Sequence, residues 1–212
     1  MDSTTPKQHF LTPAGFGQAE FDEKRSRFIG YIWHVTCEAA ARELIADTSK
    51  QHADAAHNAY AYIAADATRY SDDGEPTGTA GVPVLNVLKK EDLHDALCIV
   101  TRYYGGIRLG AGGLVRAYSQ AAKMAIDAAG IVAIASWREL HISCNYGHYD
   151  RISKLIAETK AVLDATNFTD EVSMTVFVLS DAADAFAARI TDITAGSATV
   201  SLRGYKQMPA PV

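Results

Sequence analysis

The sequence predicts an α+β protein of two domains, residues 1–134 and 135–212. Three observations carry that expectation. Short runs of apolar residues alternate with period two, while other runs repeat at helical spacing. The pattern restarts near residue 134, after a glycine-rich stretch and a long helix. Beyond that point the elements read β-α-β-β-α-β, the order of a ferredoxin-like split βαβ unit.

The elements follow in chain order. MDSTTPKQHFLTP (1–13) has no apolar signal core and is expected to be a frayed leader. SRFIGYIWHV (26–35) is β-branched and aromatic, so a strand is predicted. In CEAAARELIADTSKQH (37–52), Ala40, Leu44, Ile45 and Thr48 recur at helical spacing. HNAYAYIAA (57–65) alternates, with Tyr60 and Tyr62 on one side and Ala59, Ala61 and Ile63 on the other. DATRYSDDGEPTGTAGVP (66–83) carries turn pairs throughout and reads as a loop. A short helix over 82–90 tolerates Pro83 in its first turn. ALCIV (96–100) is unbroken apolar sequence, which predicts a strand covered on both faces. Residues 112–130 form a helix closed by Gly130. In the second domain, strands are expected over 138–146, 161–168, 171–180 and 197–208, and helices over 148–160 and 181–193. Ser180 or Asp181 is the expected cap of the last helix.

Composition excludes some functions. The formal charge is −5, and neither half is basic, which argues against non-specific coating of DNA. No apolar run approaches the roughly 18 residues that span a bilayer. A cytoplasmic protein with no membrane partner is therefore expected. Cys37, Cys98 and Cys144 lie far apart without zinc spacing, and reduced, buried thiols are expected.

The stretch TRYYGGIRLGAGGLVRAYSQ (101–120) holds the strongest chemical signal. Strand, glycine turn and helix is the layout of a phosphate site, because helix N-terminal amides attract anions. The specific fingerprints fail. A P-loop would place Lys after its second glycine, where Gly110 is followed by Ala111. A dinucleotide fingerprint starting at Gly110 would need Gly or Ala where Val115 stands. Arg102, Arg108, Arg116 and Lys123 fall within 96–126 with no acid among them. This basic island is either a solvated helix face or, with Tyr103 and Tyr104 beside it, an RNA contact.

SDDGEP (71–76) places Asp72, Asp73 and Glu75 close together. Three readings stay open: a divalent metal site, a turn with helix-capping acids, or a partner that locks onto the basic island. EF-hand spacing fails. His57 and Asn58 open an apolar strand and are either site residues or a satisfied interior pair. No HExxH or GxSxG motif occurs.

HNAYAY (57–62), SDDGEPTGTAG (71–81) and VTRYYGGIRLGAGGLVRAYS (100–119), with KRSRF (24–28) ahead of them and Pro83 just behind the GTAG run, resemble the IMPACT/YigZ family over roughly residues 17 to 130. The resemblance implies an N-terminal fold like the second domain of ribosomal protein S5 and domain IV of elongation factor G. It implies a C-terminal ferredoxin-like fold like domain V of that factor. Such modules meet RNA and ribosomes. Eukaryotic relatives regulate translation under nutrient stress and carry an RWD domain not seen in this sequence, so a bacterial two-domain form is expected. The implied site comprises His57, Asn58, Asp72, Asp73, Glu75, Arg102, Tyr103, Gly105, Gly106, Arg108, Gly112, Gly113 and Arg116. The expected partners are RNA, the ribosome or translation factors. No cofactor, no metal and no catalytic residue is expected. The alternative is a metal-dependent enzyme acting on a phosphate compound or nucleotide at the SDDGEP and GGIRLGAGG segments.

Overall fold

The computed structural model describes residues 9–210. It is a mixed α+β structure with two sheets and interspersed helices. Two compact units emerge, one of Phe10–Ala133 and the other running from Ile134 onward.

In the first unit, β2 (Gly17–Glu23), β3 (Ser26–His34), β4 (His57–Ile63), β5 (Thr68–Ser71) and β6 (Ala96–Tyr103) form an antiparallel sheet in the order β2-β3-β6-β4-β5. Strand alternation divides its residues between two cores. Phe28, Ile32, Ala59, Ala61, Cys98 and Val100 pack beneath α2 (Gly81–Lys90) and α3 (Ala111–Ala129). Ile29, Tyr31, Tyr62, Leu97 and Ile99 pack on the opposite face with Ala41 of α1 (Glu38–Gln51). The central strand β6 is buried from Ala96 to Arg102, as its unbroken apolar run predicts. Burying each large apolar side chain contributes about 1.5–3 kcal/mol.

Close approach of α3 to the sheet depends on glycine. A Cβ on Gly30 would lie 2.3 Å from the carbonyl oxygen of Ala121, and one on Gly17 would lie 2.3 Å from that of Ala125. The helix meets this surface with Ala117, Ala121, Ala122 and Ala125, small enough for its backbone to rest near the strands. At its far end Gly130, at φ 71°, stops the helix.

Two N-terminal expectations are corrected, and one strand, β2, is not anticipated. Residues 1–8 of the expected leader lie outside the described residues, but His9–Pro13 is a strand, β1. Leu11 of β1 accepts a backbone bond from His94. β2 precedes the predicted strand at 26 and pairs with it in a hairpin. β5 lies within the segment read as a loop. Thr68, Arg69 and Tyr70 are exposed, so this edge strand has no buried face to produce alternation. Cys98 and Cys144 are buried free thiols, whereas Cys37 is only half-buried. Burial pushes the Cys98 thiol up to about 12.

The second unit contains β7 (Ile131–Cys144), α4 (Tyr146–Glu158), β8 (Val162–Phe168), β9 (Val172–Leu179), α5 (Ala183–Ile193) and β10 (Thr199–Pro209). Its strands lie in the order β10-β7-β9-β8, and these pairings are all antiparallel. β7 is one strand from residue 131, not a segment restarting at 138. Leu140, Ile142, Val172, Met174 and Val176 bury against Ile152, Leu155 and Ile156 of α4 and Phe186 and Ile190 of α5. The N-cap of α5 is Ala182, with no side-chain cap. Ser180 is held elsewhere, its amide donating to the Ser136 carbonyl and its hydroxyl bonding the Ser136 hydroxyl.

Gly30→Ala should destabilise the protein by about 1–3 kcal/mol, because the helix must retreat or the sheet must bend. Urea denaturation checks this as a lower midpoint at unchanged slope; an unchanged midpoint would show that α3 is not held against β3.

Candidate functional site

The site begins with the end of β6. Strand alternation directs Arg102 toward α2 and α3 and its neighbour Tyr103 toward α1. The Arg102 side chain is 6% exposed and donates from Nη1 to Glu75 Oε1 at 2.6 Å. Its Nη2 reaches the Ser26 hydroxyl at 3.3 Å. The guanidinium lies over two rings, 5.5 Å from the Phe28 centroid and 5.2 Å from that of Tyr104. Its Nε–H donates to nothing among the described residues. A cation this deeply placed must be paired, because desolvating a lone charge costs several kcal/mol.

Glu75 is the partner, 3% exposed at its side chain. Its Oε1 also accepts from the Tyr118 hydroxyl of α3 at 2.9 Å and lies 3.8 Å from His57 Nε2. Burial, and then the Glu75 carboxylate, hold the Tyr118 phenol far above its ordinary range, so it stays a neutral donor. The other ring nitrogen of His57 lies 2.7 Å from the Asp73 carbonyl oxygen. A carbonyl only accepts, so His57 Nδ1 carries the proton and Nε2 is the nitrogen turned toward Glu75.

The remaining acids of the loop hold backbone in place. Asp72 accepts bonds from the amides of Gly78, Ala80 and Gly81 at the entrance to α2. Asp73 accepts from the Asn58 amide. Asn58 in turn accepts from the Thr101 hydroxyl and donates to the His52 carbonyl. The three carboxylates therefore diverge. Among the described residues no group of three or more His, Cys, Asp or Glu is placed to hold a metal ion. That divergence argues against the metal-site reading of SDDGEP and favours the capping and loop-locking readings.

A cleft of about 420 Å³ opens over this cluster. His57, Glu75 and Arg102 line one part of it, and Tyr104, Arg108 and Gly110 with the first residue of α3 line another. Gly110 is the N-cap of α3 at φ 75°, with no side-chain cap and no acid in the first turn. The amides of Ala111, Gly112 and Gly113 thus begin a 19-residue helix without an internal anion. Residues 110–112 are exposed. Arg108 and Arg116 are also exposed, and neither has an ion-pair or hydrogen-bond partner among the described residues.

The expected site residues separate into groups. His57, Glu75, Arg102 and Arg108 meet at the cleft. Asn58, Asp72 and Asp73 support it from behind. Tyr103 sits on the opposite face, its hydroxyl bonded to His52 and donating to Asp54. Gly105 is a packing residue, since a Cβ there would lie 1.8 Å from the Arg25 carbonyl oxygen. Gly106 is open to solvent, and Gly113 packs against Leu109. Arg116 lies one turn along α3 from Gly112 and does not line the cleft. Sequence reasoning missed Ser26 and Tyr118. Tyr118 carries a usable signal: a tyrosine on an alanine face must bury its hydroxyl against a partner.

Glu75→Gln should cost about 3–5 kcal/mol, since it leaves Arg102 buried without a counter-charge. Chemical denaturation measures this directly, with Glu20→Gln, at the exposed Arg27–Glu20 pair, as a control of under about 1 kcal/mol.

The Impact N-terminal domain model matches residues 24–126, and the model of a domain of unknown function matches residues 142–197. The IMPACT family member YvyE of Bacillus subtilis is 36% identical over 90% of this chain and 89% of its own length. The IMPACT family member YigZ of Escherichia coli is 30% identical over 90% of this chain and 96% of its own. A crystal structure described as that of a hypothetical protein superposes with a TM-score of 0.61 at 29% identity, covering 92% of this chain and 97% of the other. With relatives of this identity matching across both units, the chain belongs to the IMPACT family.

Proposed function

We propose that this protein binds RNA, alone or on the ribosome, through the N-terminal end of α3 and the arginines beside it, and so acts in or around translation. The observation that carries the reading is the uncapped start of α3, where Gly110, Ala111 and Gly112 are exposed, next to the unpaired Arg108 and Arg116. Helix N-termini of this kind favour phosphate oxygens, and arginine pairs with them bidentately. Membership of the IMPACT family supports a translation-related role.

The order of elements supports the likeness to ribosome-associated modules. The βαββαβ succession with sheet order β10-β7-β9-β8 suits a ferredoxin-like domain, following in the chain an N-terminal domain like that of ribosomal protein S5 and elongation factor G. No helix among the described residues is long and apolar enough to cross a membrane. A protein of net charge −5 must confine its phosphate contacts to a small area. Modest affinity through few contacts is the expected behaviour.

Filter binding of single-stranded ribosomal RNA fragments across a salt series tests the reading. Arg108→Ala with Arg116→Ala should weaken binding and flatten the salt slope by about one unit for each phosphate no longer neutralised. An unchanged slope in the double variant would sink it.

A further inference from the structure

We infer that a second cleft, between α1 and the β4–β5 edge of the N-terminal sheet, is a contact for single-stranded RNA, in which a base stacks on tyrosine and a phosphate meets arginine. It lies on the opposite face of the sheet from α3, and it rests on the RNA-binding reading only for the class of ligand.

Register and helix spacing build the cleft. β4 pairs with the edge strand β5 so that Arg69 stands directly across from Tyr62. Cross-strand partners share a face, and Tyr60, two residues back along β4, shares it too. Arg42, Ile45 and Ala46 lie at i, i+3 and i+4 on α1 and close the other side. Between helix and edge is a cleft of about 320 Å³, which Tyr70 of β5 also borders.

The lining matches an unstacked nucleotide. Three tyrosines and two arginines line the cleft, and no carboxylate does. Tyr60 and Tyr62 are already stacked, with ring planes 13° and centroids 6.2 Å apart. Tyr62 is 2% exposed and belongs to the core, while Tyr70 is 51% exposed and stacks on no other ring among the described residues. The Arg69 guanidinium bonds the Thr68 carbonyl, and no carboxylate lies within ion-pair distance of it among the described residues. Glu38 accepts from Arg42 and from the Tyr62 hydroxyl, and feels Arg69 only through its charge. Arg69 is thus the cation left for a phosphate.

An exposed ring beside an unpaired guanidinium suits a base and its phosphate, the combination by which single strands are held. A protein strand added along β5 is the competing occupant. Such a strand needs apolar pockets for alternate side chains, and Ile45 and Ala46 are the only aliphatic residues lining this cleft. Stacking also suits an acidic protein, because it contributes affinity that a charge of −5 does not oppose.

Fluorescence anisotropy tests this with the full chain and a labelled single-stranded RNA of about 12 nucleotides. Tyr70→Ala should weaken binding about tenfold, within the range for one base–aromatic stack, and Tyr70→Phe, which keeps the ring, should bind like the parent. Arg69→Ala should flatten the salt slope by about 0.7 unit, the effect of one phosphate contact on a single strand. Both positions are exposed on an edge strand, and an unchanged urea midpoint shows that the fold is intact. If Tyr70→Ala lowers that midpoint, crosslinking of 4-thiouridine RNA to the unaltered protein decides instead: a crosslink within residues 60–70 supports the site, and crosslinks confined elsewhere remove it. Parental binding and salt slope in both variants overturn the inference, and a loss in Arg108→Ala with Arg116→Ala then leaves the α3 reading standing alone. Loss at Tyr70 and Arg69 but not at Arg108 and Arg116 supports the inference and removes RNA from α3. No RNA binding by the parent overturns both. An acidic peptide that binds where RNA does not, and is lost in Tyr70→Ala, gives the cleft to a protein partner and overturns the inference.

Discussion

The ion pair between Arg102 and Glu75 is the constraint on which the rest of the N-terminal unit turns. A guanidinium between two aromatic rings cannot stay solvated, so it draws a carboxylate to itself. That carboxylate comes from a loop 27 residues earlier in the chain. Once Glu75 is fixed there, its neighbours are fixed too: Asp72 reaches the amides that begin α2, and Asp73 holds the His57 ring and the Asn58 amide. Tyr118 ties α3 to the same oxygen. A loop rich in glycine and proline, which alone would sample many conformations, is thereby held by charge and hydrogen bonds rather than by apolar packing.

The same arrangement explains which parts of the molecule are legible in the sequence. β3, β4 and β6 each bury one or both faces, and burial imprints alternation or an unbroken apolar run on the residues. β2 does alternate, with Gln18, Glu20 and Asp22 exposed against Ala19 and Phe21, so its period-two pattern is legible. β1 is only five residues long and β5 exposes three of its four residues, so little selects for pattern there. Pairing creates those strands, and pairing partners are not visible along one chain. Residue types in the site are readable, because acids, arginines and glycines concentrate in two segments. Their jobs are not. Adjacent residues of a strand face opposite ways, yet Arg102 and Tyr103 look like one motif in the linear text. Ser26 and Tyr118 are ordinary in sequence and acquire meaning only through Arg102 and Glu75.

Alanine on α3 and glycine on the strands belong to a second constraint that acts with the first. The helix can lie close to β2 and β3 only where Cβ atoms are absent or small. Close packing brings Tyr118 within reach of Glu75, and the helix axis then sets where the Gly110 end emerges. The open N-terminus beside the cleft is thus a consequence of packing at the other end of the helix. Nothing in the glycine-rich composition of that turn alone would aim it.

Charge counting misleads for the same reason. The chain is acidic in total, yet the acids nearest the cleft are consumed internally: Asp72 and Asp73 by backbone amides, Glu75 by Arg102. The basic island is also smaller than its four residues suggest. Arg102 is neutralised by Glu75, and Lys123 lies against Glu91 and Asp127. Arg108 and Arg116 remain, both exposed and both near the positive end of α3. What an approaching anion meets is therefore decided by which charges are already paired. A local field of two guanidinium groups and one helix terminus can act on a phosphate at contact distance, while at about 8–10 Å and beyond salt screens it and the negative total governs approach.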